Sequence, residues 1–231
     1  EISDYIQKFL DEDKSKKDIT SNYFINKKQK ARATFIAEEN IVVSGCNIVL
    51  EIFKKNCKNF KLLFKVNDGK EVSKNKKLLV IEGNARDILS IERTALNLLQ
   101  HLSGISTITS RFYKKIKLSK TTLLDTRKTT PGLRKLEKYA VHIGGAKNHR
   151  LNLAERFMVK DNHLLLDKNI FKKIEKMEDS KKKSLIMECD NLLQVKKAVS
   201  LKIKHILLDN MSLKKIKESY KLIGKKAKIE V

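Results

Sequence analysis

Five short apolar runs alternate with helical stretches along the second half of the chain, and this alternation limits the possible folds more than any other feature. The runs are TTLLDT (121–126), RFMVKDN (156–162), SLIMECD (184–190), HILLDN (205–210) and AKIEV (227–231). The last three begin at residues 184, 205 and 227, and are therefore 21 and 22 residues apart. This spacing is typical of parallel strands joined by helical crossovers. The pattern predicts an α/β fold, either a barrel or a doubly wound sheet.

The first part of the chain has a different pattern, in which strand candidates precede one long helix. The expected elements are strands at about 31–44, 60–67 and 77–82 and helices at 1–12 and 46–56. The first helix is amphipathic through Ile2, Tyr5, Ile6, Phe9 and Leu10. The stretch ARDILSIERTALNLLQHLSG predicts a long buried helix that ends at Gly104. We expect an N-terminal α+β domain over residues 1–103 and an α/β domain over residues 104–231.

Charge and composition narrow the class of protein. The formal net charge is +24, and all but eight of the 51 basic residues are lysines. Lysine runs such as KKIEKMEDSKKK are typical of a solvated helix face. Aromatic residues, which stack on nucleic-acid bases, make up only 6% of the chain. We therefore expect no nucleic-acid partner, and keep a basic RNA- or DNA-binding module as a distant alternative.

Neither a membrane segment nor a disulfide framework is expected. No run approaches the roughly 20 apolar residues of a membrane helix, so we expect no membrane partner. Cys46, Cys57 and Cys189 are odd in number and widely spaced, without a CxxC pair. This usage disfavours both disulfides and a zinc site. A reducing cytoplasm is the expected location.

Polar side chains follow the apolar runs where the strands are expected to end. Carboxyl ends of parallel strands lie on one side of a sheet, where α/β enzymes build their sites. Asn191 and Asn210 are explained as ordinary helix caps or turn formers. Lys128 and Lys160 are not, because lysine is a poor helix cap. The other groups combine cations with two acids suited to Mg²⁺ or sugar hydroxyls, and predict a site for a polyanion. They are Arg127, Lys128, His149, Arg150, Lys160, Glu188 and Asp209.

Five blocks of sequence carry a resemblance to a known family. They are IERTALNLLQHLSGIST (91–107), LLDTRKTTPGLRKLEKYAVHIGGAKNHR (123–150), RFMVKDNH (156–163), MECDNL (187–192) and LLDN (207–210). In order and spacing they resemble the quinolinate phosphoribosyltransferase family, also called carboxylating nicotinate-nucleotide pyrophosphorylase. KKDIT (16–20) and KVNDGKEV (65–72) extend the resemblance over nearly the whole chain.

The resemblance implies a fold and a reaction. The fold is an N-terminal α+β sandwich domain followed by an open α/β barrel, in a homodimer with shared active sites or a higher oligomer. The reaction transfers phosphoribosyl from phosphoribosyl pyrophosphate to the nitrogen of quinolinate. It releases pyrophosphate and CO₂ and gives nicotinate mononucleotide, a step of de novo NAD biosynthesis. Magnesium is the implied cofactor.

Carried over by position, the resemblance also implies roles for individual residues. Lys128 would stand between quinolinate and the pyrophosphate, while Glu188 and Asp209 would hold ribose hydroxyls and Mg²⁺. These three are the implied catalytic residues. Arg93 would reach the quinolinate bound by the partner subunit, although the residue pattern alone favours an exposed ion pair with Glu92. The other residues implied to line the dicarboxylate pocket are Arg127, His149, Arg150 and Lys160.

The chemistry of the substrates explains these residue types. Two adjacent carboxylates on a flat ring suit forked arginine donors, which fix both the plane and the edge of the ring. Lysine and Mg²⁺ stabilise the departing pyrophosphate, and acids stabilise a ribose that becomes oxocarbenium-like. A quaternary ring nitrogen accepts the electrons left by loss of CO₂, so no further cofactor is implied.

The chain departs from the family pattern at a few positions. Lys17 occupies a position before DIT that is usually glycine in the family, and Ala146 occupies another that is usually glycine. His142 occupies a position that is usually basic. The chain ends at Val231, within an expected barrel strand. We therefore expect the C-terminal part of the barrel, with its phosphate-binding loops, to be missing.

Alternatives remain for the function of the chain and for the roles of single residues. A related type II phosphoribosyltransferase acting on nicotinate or another acceptor is the alternative function, and a single carboxylate would need fewer cations than the predicted set. Asp125 is expected either to orient a basic neighbour or to contact substrate. Gly144 and Gly145 are expected to end a helix, and Arg134 to serve packing or an interface.

Overall fold

The computed structural model describes residues 2–231 and the side chains from Tyr5 onward. This part of the chain forms two compact units, of which the first ends at His149 and the second is Arg150–Val231. The domain boundary that the sequence predicts, between residues 103 and 104, lies within one continuous helix, Ala85–Ile116.

The first unit is built on two small antiparallel sheets. Its described elements, in chain order, are α1 (Ile2–Glu12), a 3₁₀ turn (Ser15–Lys17), α2 (Ile19–Phe24), β1 (Lys30–Ile36), β2 (Ile41–Val42), α3 (Cys46–Asn56), β3 (Lys61–Lys65), β4 (Glu71–Val72), β5 (Lys77–Asn84), α4 (Ala85–Ile116) and α5 (Arg134–Ile143). One sheet has the order β1-β5-β3, and β2 pairs with β4. The predicted helices at 1–12 and 46–56 are confirmed as α1 and α3, and the strands at 60–67 and 77–82 as β3 and β5.

The strand predicted at 31–44 is wrong in extent, because it divides into β1 and β2. The chain leaves the sheet at AEEN (37–40), where polar residues interrupt the apolar alternation. Ala37 bonds instead to the loop before β5: its N–H donates to Lys76 O at 3.0 Å, and Asn75 N donates to Ala37 O at 2.7 Å.

The core of the first unit lies between the larger sheet and the helices α1, α3 and α4. Phe53 of α3 is fully buried and meets Phe35 of β1 edge to face, with 5.9 Å between ring centroids. Ile6 and Leu10 of α1 join the same core, as predicted, whereas the side chain of Ile2 lies outside the described residues. Full burial of one isoleucine, leucine or phenylalanine side chain stabilises the fold by about 1.5–3 kcal/mol.

The long helix α4 does not end at Gly104, as the sequence predicts, but continues to Ile116. A glycine after a periodic apolar stretch is a local stop signal, yet the buried face of α4 continues through Ser106 and Thr109. Ser106 Oγ donates to Ala140 O of α5 at 2.7 Å. Packing of α4 on α5 therefore overrides a helix-interior glycine, which costs only about 1 kcal/mol relative to alanine.

Substituting alanine for Gly104 should raise the free energy of unfolding by about 0.5–1 kcal/mol. Gly104 is exposed, and a Cβ there would meet no heavy atom within 4 Å. Gly144→Ala is the matched control, because Gly144 also has right-handed backbone angles (φ −72°, ψ −3°). A Cβ at that position would lie 2.6 Å from Thr109 Cβ and 2.7 Å from Ser106 O, so this variant should lose stability. Urea denaturation followed by circular dichroism measures both, and destabilisation by Gly104→Ala would contradict the expectation.

The second unit is a parallel sheet with helices between consecutive strands. Its elements are β6 (Met158–Val159), α6 (Asp161–Leu166), α7 (Ile170–Glu175), α8 (Asp179–Ser184), β7 (Ile186–Cys189), α9 (Leu192–Ser200), β8 (His205–Leu208), α10 (Leu213–Ile223) and β9 (Lys228–Glu230). The strand order is β6-β7-β8-β9, and all neighbours are parallel. The runs at 184–190, 205–210 and 227–231 are confirmed as β7, β8 and β9, and the run at 156–162 contains only the short β6.

The run TTLLDT (121–126) forms no strand, contrary to prediction. Leu124 makes a single parallel bridge with Lys147. Lys147 N donates to Leu123 O at 2.9 Å, and Asp125 N donates to Lys147 O at 3.1 Å. The composition is strand-like, but a strand also needs a partner segment of similar length, and here the pairing stops after one residue.

The three cysteines are buried and carry free thiols. Burial raises the pKa of Cys46 and of Cys189 to about 12. These thiols therefore stay protonated at neutral pH and are poor nucleophiles. None of the helices in the described part of the chain combines the length and the apolar character needed to span a bilayer.

Candidate functional site

Lys160, Glu188 and Asp209 lie at the carboxyl ends of three neighbouring strands of the second unit. Lys160 follows β6, Glu188 is the third residue of β7, and Asp209 follows β8. The β6–β7 register places Lys160 opposite Glu188, and their Nζ and Oε2 atoms are 3.6 Å apart. Glu188 pairs with Leu207, and Asp209 is two residues beyond Leu207 on the same face. The structure thus brings these three predicted site residues to one edge and one face of the sheet.

The two carboxylates of this edge suit a magnesium ion shared with a polyanion. Mg²⁺ in such sites takes one or two protein carboxylates, and phosphate and water oxygens fill its other positions. The Glu188 side chain is 13% exposed, while Asp209 is exposed. The pair therefore offers two hard oxygen ligands, one of them open to solvent. Within residues 2–231, no group of three or more His, Cys, Asp and Glu side chains is arranged to hold a metal.

Arg150, another predicted pocket residue, is buried and bonds to the loop that leads into β6. Its Nη1 donates to Arg156 O at 3.1 Å, and its Nη2 lies 3.2 Å from Met158 Sδ. His163 bonds to the end of the same strand, because its Nδ1 accepts a hydrogen bond from Lys160 N at 3.0 Å. These contacts fix the backbone on both sides of β6, and with it the position of Lys160.

Arg127 and Lys128 lie in the first unit on a short loop before α5, called here the Arg127 loop (residues 126–130). The loop is a tight turn, in which Lys128 N donates to Thr126 Oγ1 and Thr129 N to Arg127 O, both at 3.0 Å. Lys128 is exposed. Arg127 Nε is buried and has no hydrogen-bond partner among the described residues. A buried donor without a partner costs about 1–3 kcal/mol, so this atom is suited to bind an acceptor on a ligand. 

The start of α5 supports the same loop. Arg134 Nε donates to Thr129 Oγ1 at 3.0 Å. This contact agrees with the packing role expected for Arg134.

A hydrogen-bonded cluster next to the Arg127 loop contains Asp125, Lys138, Asn148 and His149, and the side chains of Asp125 and Lys138 at its centre are buried. Lys138 Nζ donates to Asp125 Oδ1 at 2.5 Å and to His149 O at 2.9 Å. His149 N donates to Asp125 Oδ1 at 2.7 Å. With its amide oriented to donate, Asn148 Nδ2 lies 2.9 Å from Asp125 Oδ2 and 3.0 Å from Lys138 O. Asp125 therefore orients a basic neighbour, one of the two roles expected for it, and the cluster fixes the backbone at His149.

Glu137, the neighbour of Lys138 in α5, holds the other end of the Arg127 loop. Its Oε2 accepts from Thr130 N at 3.1 Å, and its Oε1 lies 2.9 Å from His101 Nε2 of α4. Burial acts to raise the pKa of Glu137, but the hydrogen bonds from Thr130 and His101 outweigh burial and hold the pKa below its usual value. Glu137 is therefore charged at neutral pH.

Arg93 lies on the exposed face of α4, at the wall of a pocket of about 670 Å³ in the first unit. Glu12, Asp13 and His101 also line this pocket. Arg93 forms no ion pair with Glu92, and its guanidinium has no hydrogen bond to the described residues. The exposed ion pair that the residue pattern favours is therefore not formed.

The sequence interpretation missed three residues that organise the site of the first unit, His101, Glu137 and Lys138. A signal for two of them was present in α5. Glu137 and Lys138 are charged, yet they lie among the buried positions Leu136 and Ala140 of an amphipathic helix. Charged side chains on a buried helix face need partners, and this need could have marked them.

Two family models match the chain. The model for the quinolinate phosphoribosyl transferase N-terminal domain matches residues 18–103. The model for the C-terminal domain of the same enzyme matches residues 105–231. Together they account for nearly the whole chain.

Similar proteins point the same way. The probable nicotinate-nucleotide pyrophosphorylase (carboxylating) of Methanocaldococcus jannaschii is 38% identical over 222 residues, which cover 94% of this chain and 77% of that protein. The protein of the same name from Synechocystis is 35% identical over 224 residues, 96% of this chain and 76% of that protein. The crystal structure of nicotinate-nucleotide pyrophosphorylase from Ehrlichia chaffeensis has a TM-score of 0.90 at 35% identity, and the match covers 99% of this chain and 84% of that chain. By sequence and by fold, this chain belongs to the quinolinate phosphoribosyltransferase family.

Proposed function

We propose that this chain is a decarboxylating quinolinate phosphoribosyltransferase. It transfers phosphoribosyl from phosphoribosyl pyrophosphate to quinolinate, and releases pyrophosphate and CO₂ to form nicotinate mononucleotide. Beside membership of the family, the observation that carries the proposal is the row of Lys160, Glu188 and Asp209 on one face at the carboxyl edge of the parallel sheet. A cation and two acids in this arrangement suit a sugar that carries phosphates.

The residues proposed to bind quinolinate match its shape and charge. The ring carries two adjacent carboxylates, and forked guanidinium donors bind such groups bidentately. Arg127 supports this role, because its buried Nε has no hydrogen-bond partner among the described residues. His149, Arg150 and Lys160 complete the proposed set, and Arg93 serves the quinolinate of a partner subunit. Binding of both carboxylates would orient the ring nitrogen for in-line attack on the anomeric carbon.

The residues proposed for the transfer step act on developing charge. Lys128 stabilises the pyrophosphate as it departs, and the carboxylates of Glu188 and Asp209 stabilise positive charge on the ribose and bond its hydroxyls. Glu188 and Asp209 would also hold Mg²⁺, which supplies positive charge against the pyrophosphate oxygens. Lys160 forms an ion pair with Glu188, with 3.6 Å between Nζ and Oε2, and so keeps a cation beside the proposed ribose site.

Decarboxylation follows from the product of the transfer. The ring nitrogen becomes quaternary, and its positive charge accepts the electron pair left when the adjacent carboxylate departs as CO₂. The carbanion then takes a proton from solvent water, which forms the C–H bond at that carbon. The protein has only to bind the ring and tolerate the negative charge at that carbon, and the proposed cations do so.

The assembly is also part of the proposal. A parallel strand followed by a helix is the repeating element of an α/β barrel. Strands β6 to β9 with their intervening helices follow this pattern, and we assign them to an open barrel. In a homodimer with shared active sites, Arg93 would bind the quinolinate held by the partner subunit. The proposed boundary between residues 103 and 104 follows the extents of the two family models, whereas the compact units of the structure divide after His149. Free, buried cysteines suit a reducing cytoplasm.

The function is tested by incubating the chain with phosphoribosyl pyrophosphate, Mg²⁺ and either quinolinate or nicotinate. Quinolinate should release pyrophosphate and CO₂ in equal amounts, and EDTA should stop the release until excess Mg²⁺ is added. Turnover of nicotinate alone would favour the related type II phosphoribosyltransferase. No turnover of either acceptor, together with tight and strongly salt-dependent RNA or DNA binding, would contradict the proposal and favour a nucleic-acid-binding module.

A further inference from the structure

Two consecutive residues of α5, Glu137 and Lys138, hold the two ends of the Arg127 loop. Lys138 Nζ donates to the carboxylate of Asp125, the residue directly before the loop, at 2.5 Å. Glu137 Oε2 accepts from the N–H of Thr130, the last residue of the loop, at 3.1 Å. We call Glu137 and Lys138 the anchors of the loop. Arg127 and Lys128 lie between the two anchored ends, so a single turn of α5 sets the position of both ends of the loop.

Both anchors are shielded from water. Glu137 is 8% exposed and Lys138 is 2% exposed. Charge-assisted hydrogen bonds are stronger in such surroundings than at a surface, and loss of one partner leaves the other charge without compensation. The anchors therefore restrain the loop more firmly than exposed polar contacts would.

The Lys138 anchor restrains a second segment as well. Lys138 Nζ donates to His149 O at 2.9 Å, and Asp125 Oδ1 accepts from His149 N at 2.7 Å. One buried ammonium–carboxylate pair therefore sets the spacing between two segments that carry proposed quinolinate ligands. Arg127 makes no side-chain hydrogen bond to the described residues, and its Nε is buried. Its direction thus depends on the anchored backbone and not on bonds of its own guanidinium.

We propose that Glu137 and Lys138 are positioning residues, which hold the Arg127 loop ready to bind quinolinate without touching the substrate. The effect on catalysis rests on the proposed function, whereas the anchoring can be measured without any substrate. A loop that must be ordered during binding loses affinity and alignment, and a displacement of about 1 Å can cost about 10²-fold in rate.

The test compares Lys138→Met and Glu137→Gln with the wild-type full chain. Amide hydrogen exchange in residues 126–130 should become at least about tenfold faster in Lys138→Met, while α5 keeps its protection. The kcat/KM for quinolinate should fall by about 10–10²-fold. Glu137→Gln preserves the size of the side chain and should give smaller changes in the same direction. If Lys138→Met does not fold, Glu137→Gln alone is compared with the wild type.

A coupling measurement separates positioning from simple destabilisation. If Lys138 acts through the loop, adding Lys138→Met to Lys128→Ala should reduce activity much less than it does in the wild type. Ser106→Ala is the control, because it removes the hydrogen bond from Ser106 Oγ to Ala140 O of α5 without touching the loop. This control should lower stability, leave loop exchange unchanged, and combine independently with Lys128→Ala.

Two results would overturn the inference. One is unchanged exchange in residues 126–130 in both α5 variants. The other is an effect of Lys138→Met that multiplies independently with that of Lys128→Ala. If the wild type releases no pyrophosphate with quinolinate, the proposed function fails, and the exchange data alone decide whether the loop is anchored.

Discussion

Replacing Lys128 by alanine should lower kcat for quinolinate-dependent pyrophosphate release by about 10²–10³-fold. Lys128 is exposed, its backbone is fixed by Thr126, and its ammonium has no ion-pair partner among the described residues. Such a cation is available to stabilise the negative charge that develops on departing pyrophosphate. Because this interaction is strongest in the transition state, the loss should appear in kcat more than in the KM for quinolinate.

Lys147→Ala is the matched control for this prediction. Lys147 is also an exposed lysine of the first unit, and it bridges to Leu124 through backbone atoms alone. The substitution removes the same charge, and with it the same contribution to the long-range field of a very basic chain. We expect kcat to change by no more than about twofold. Equal losses in the two variants would contradict a specific role for Lys128.

Asp125→Ala should lower the free energy of unfolding by about 3–5 kcal/mol, the largest stability loss expected here for a single charged residue. The side chains of Asp125 and Lys138 are 6% and 3% exposed. Removal of the carboxylate leaves a buried ammonium without its counter-ion, and it takes the acceptor away from His149 N. Urea denaturation followed by circular dichroism measures the loss, provided the slope of the transition is unchanged.

An exposed ion pair of the same unit provides the comparison. Arg32 and Glu82 are 3.3 Å apart, with side chains 64% and 29% exposed. Glu82→Ala should therefore cost no more than about 1 kcal/mol. The double variant Asp125→Ala with Lys138→Met should lose less than the sum of the single losses, because it leaves no unpaired charge. An Asp125→Ala cost as small as that of Glu82→Ala would show that the buried pair is not a stabilising contact.

Several features of the fold follow from local sequence. Alternation of apolar runs and helices predicts β7, β8 and β9 to within two residues at each end, since strand and helix signals repeat at a constant spacing. The polar residues after those runs predict which groups share an edge, because parallel strands end on one side. Local chemistry also predicts the cap of α9, where Asn191 accepts from Gln194 N at 2.9 Å. It likewise predicts the end of α5 before Gly144 and Gly145, the latter at φ +100°.

Other features depend on residues that are distant in the sequence. Gly104 carries a stop signal, but Ser106 and its partner on α5 extend α4 past it, since the packing energy exceeds the cost of one glycine. TTLLDT has the composition of a strand, but pairing needs a partner, and the run has a single bridge.

The sequence by itself determined the family of the chain, its alternation of strands and helices, and the acids and cations that the proposed chemistry needs. Tertiary structure alone decided how those groups are held. His101 and Glu137 are 36 residues apart in the chain, yet 2.9 Å apart in space. No local pattern encodes such a distance, because a buried charge is stable only where the whole fold brings its partner to it.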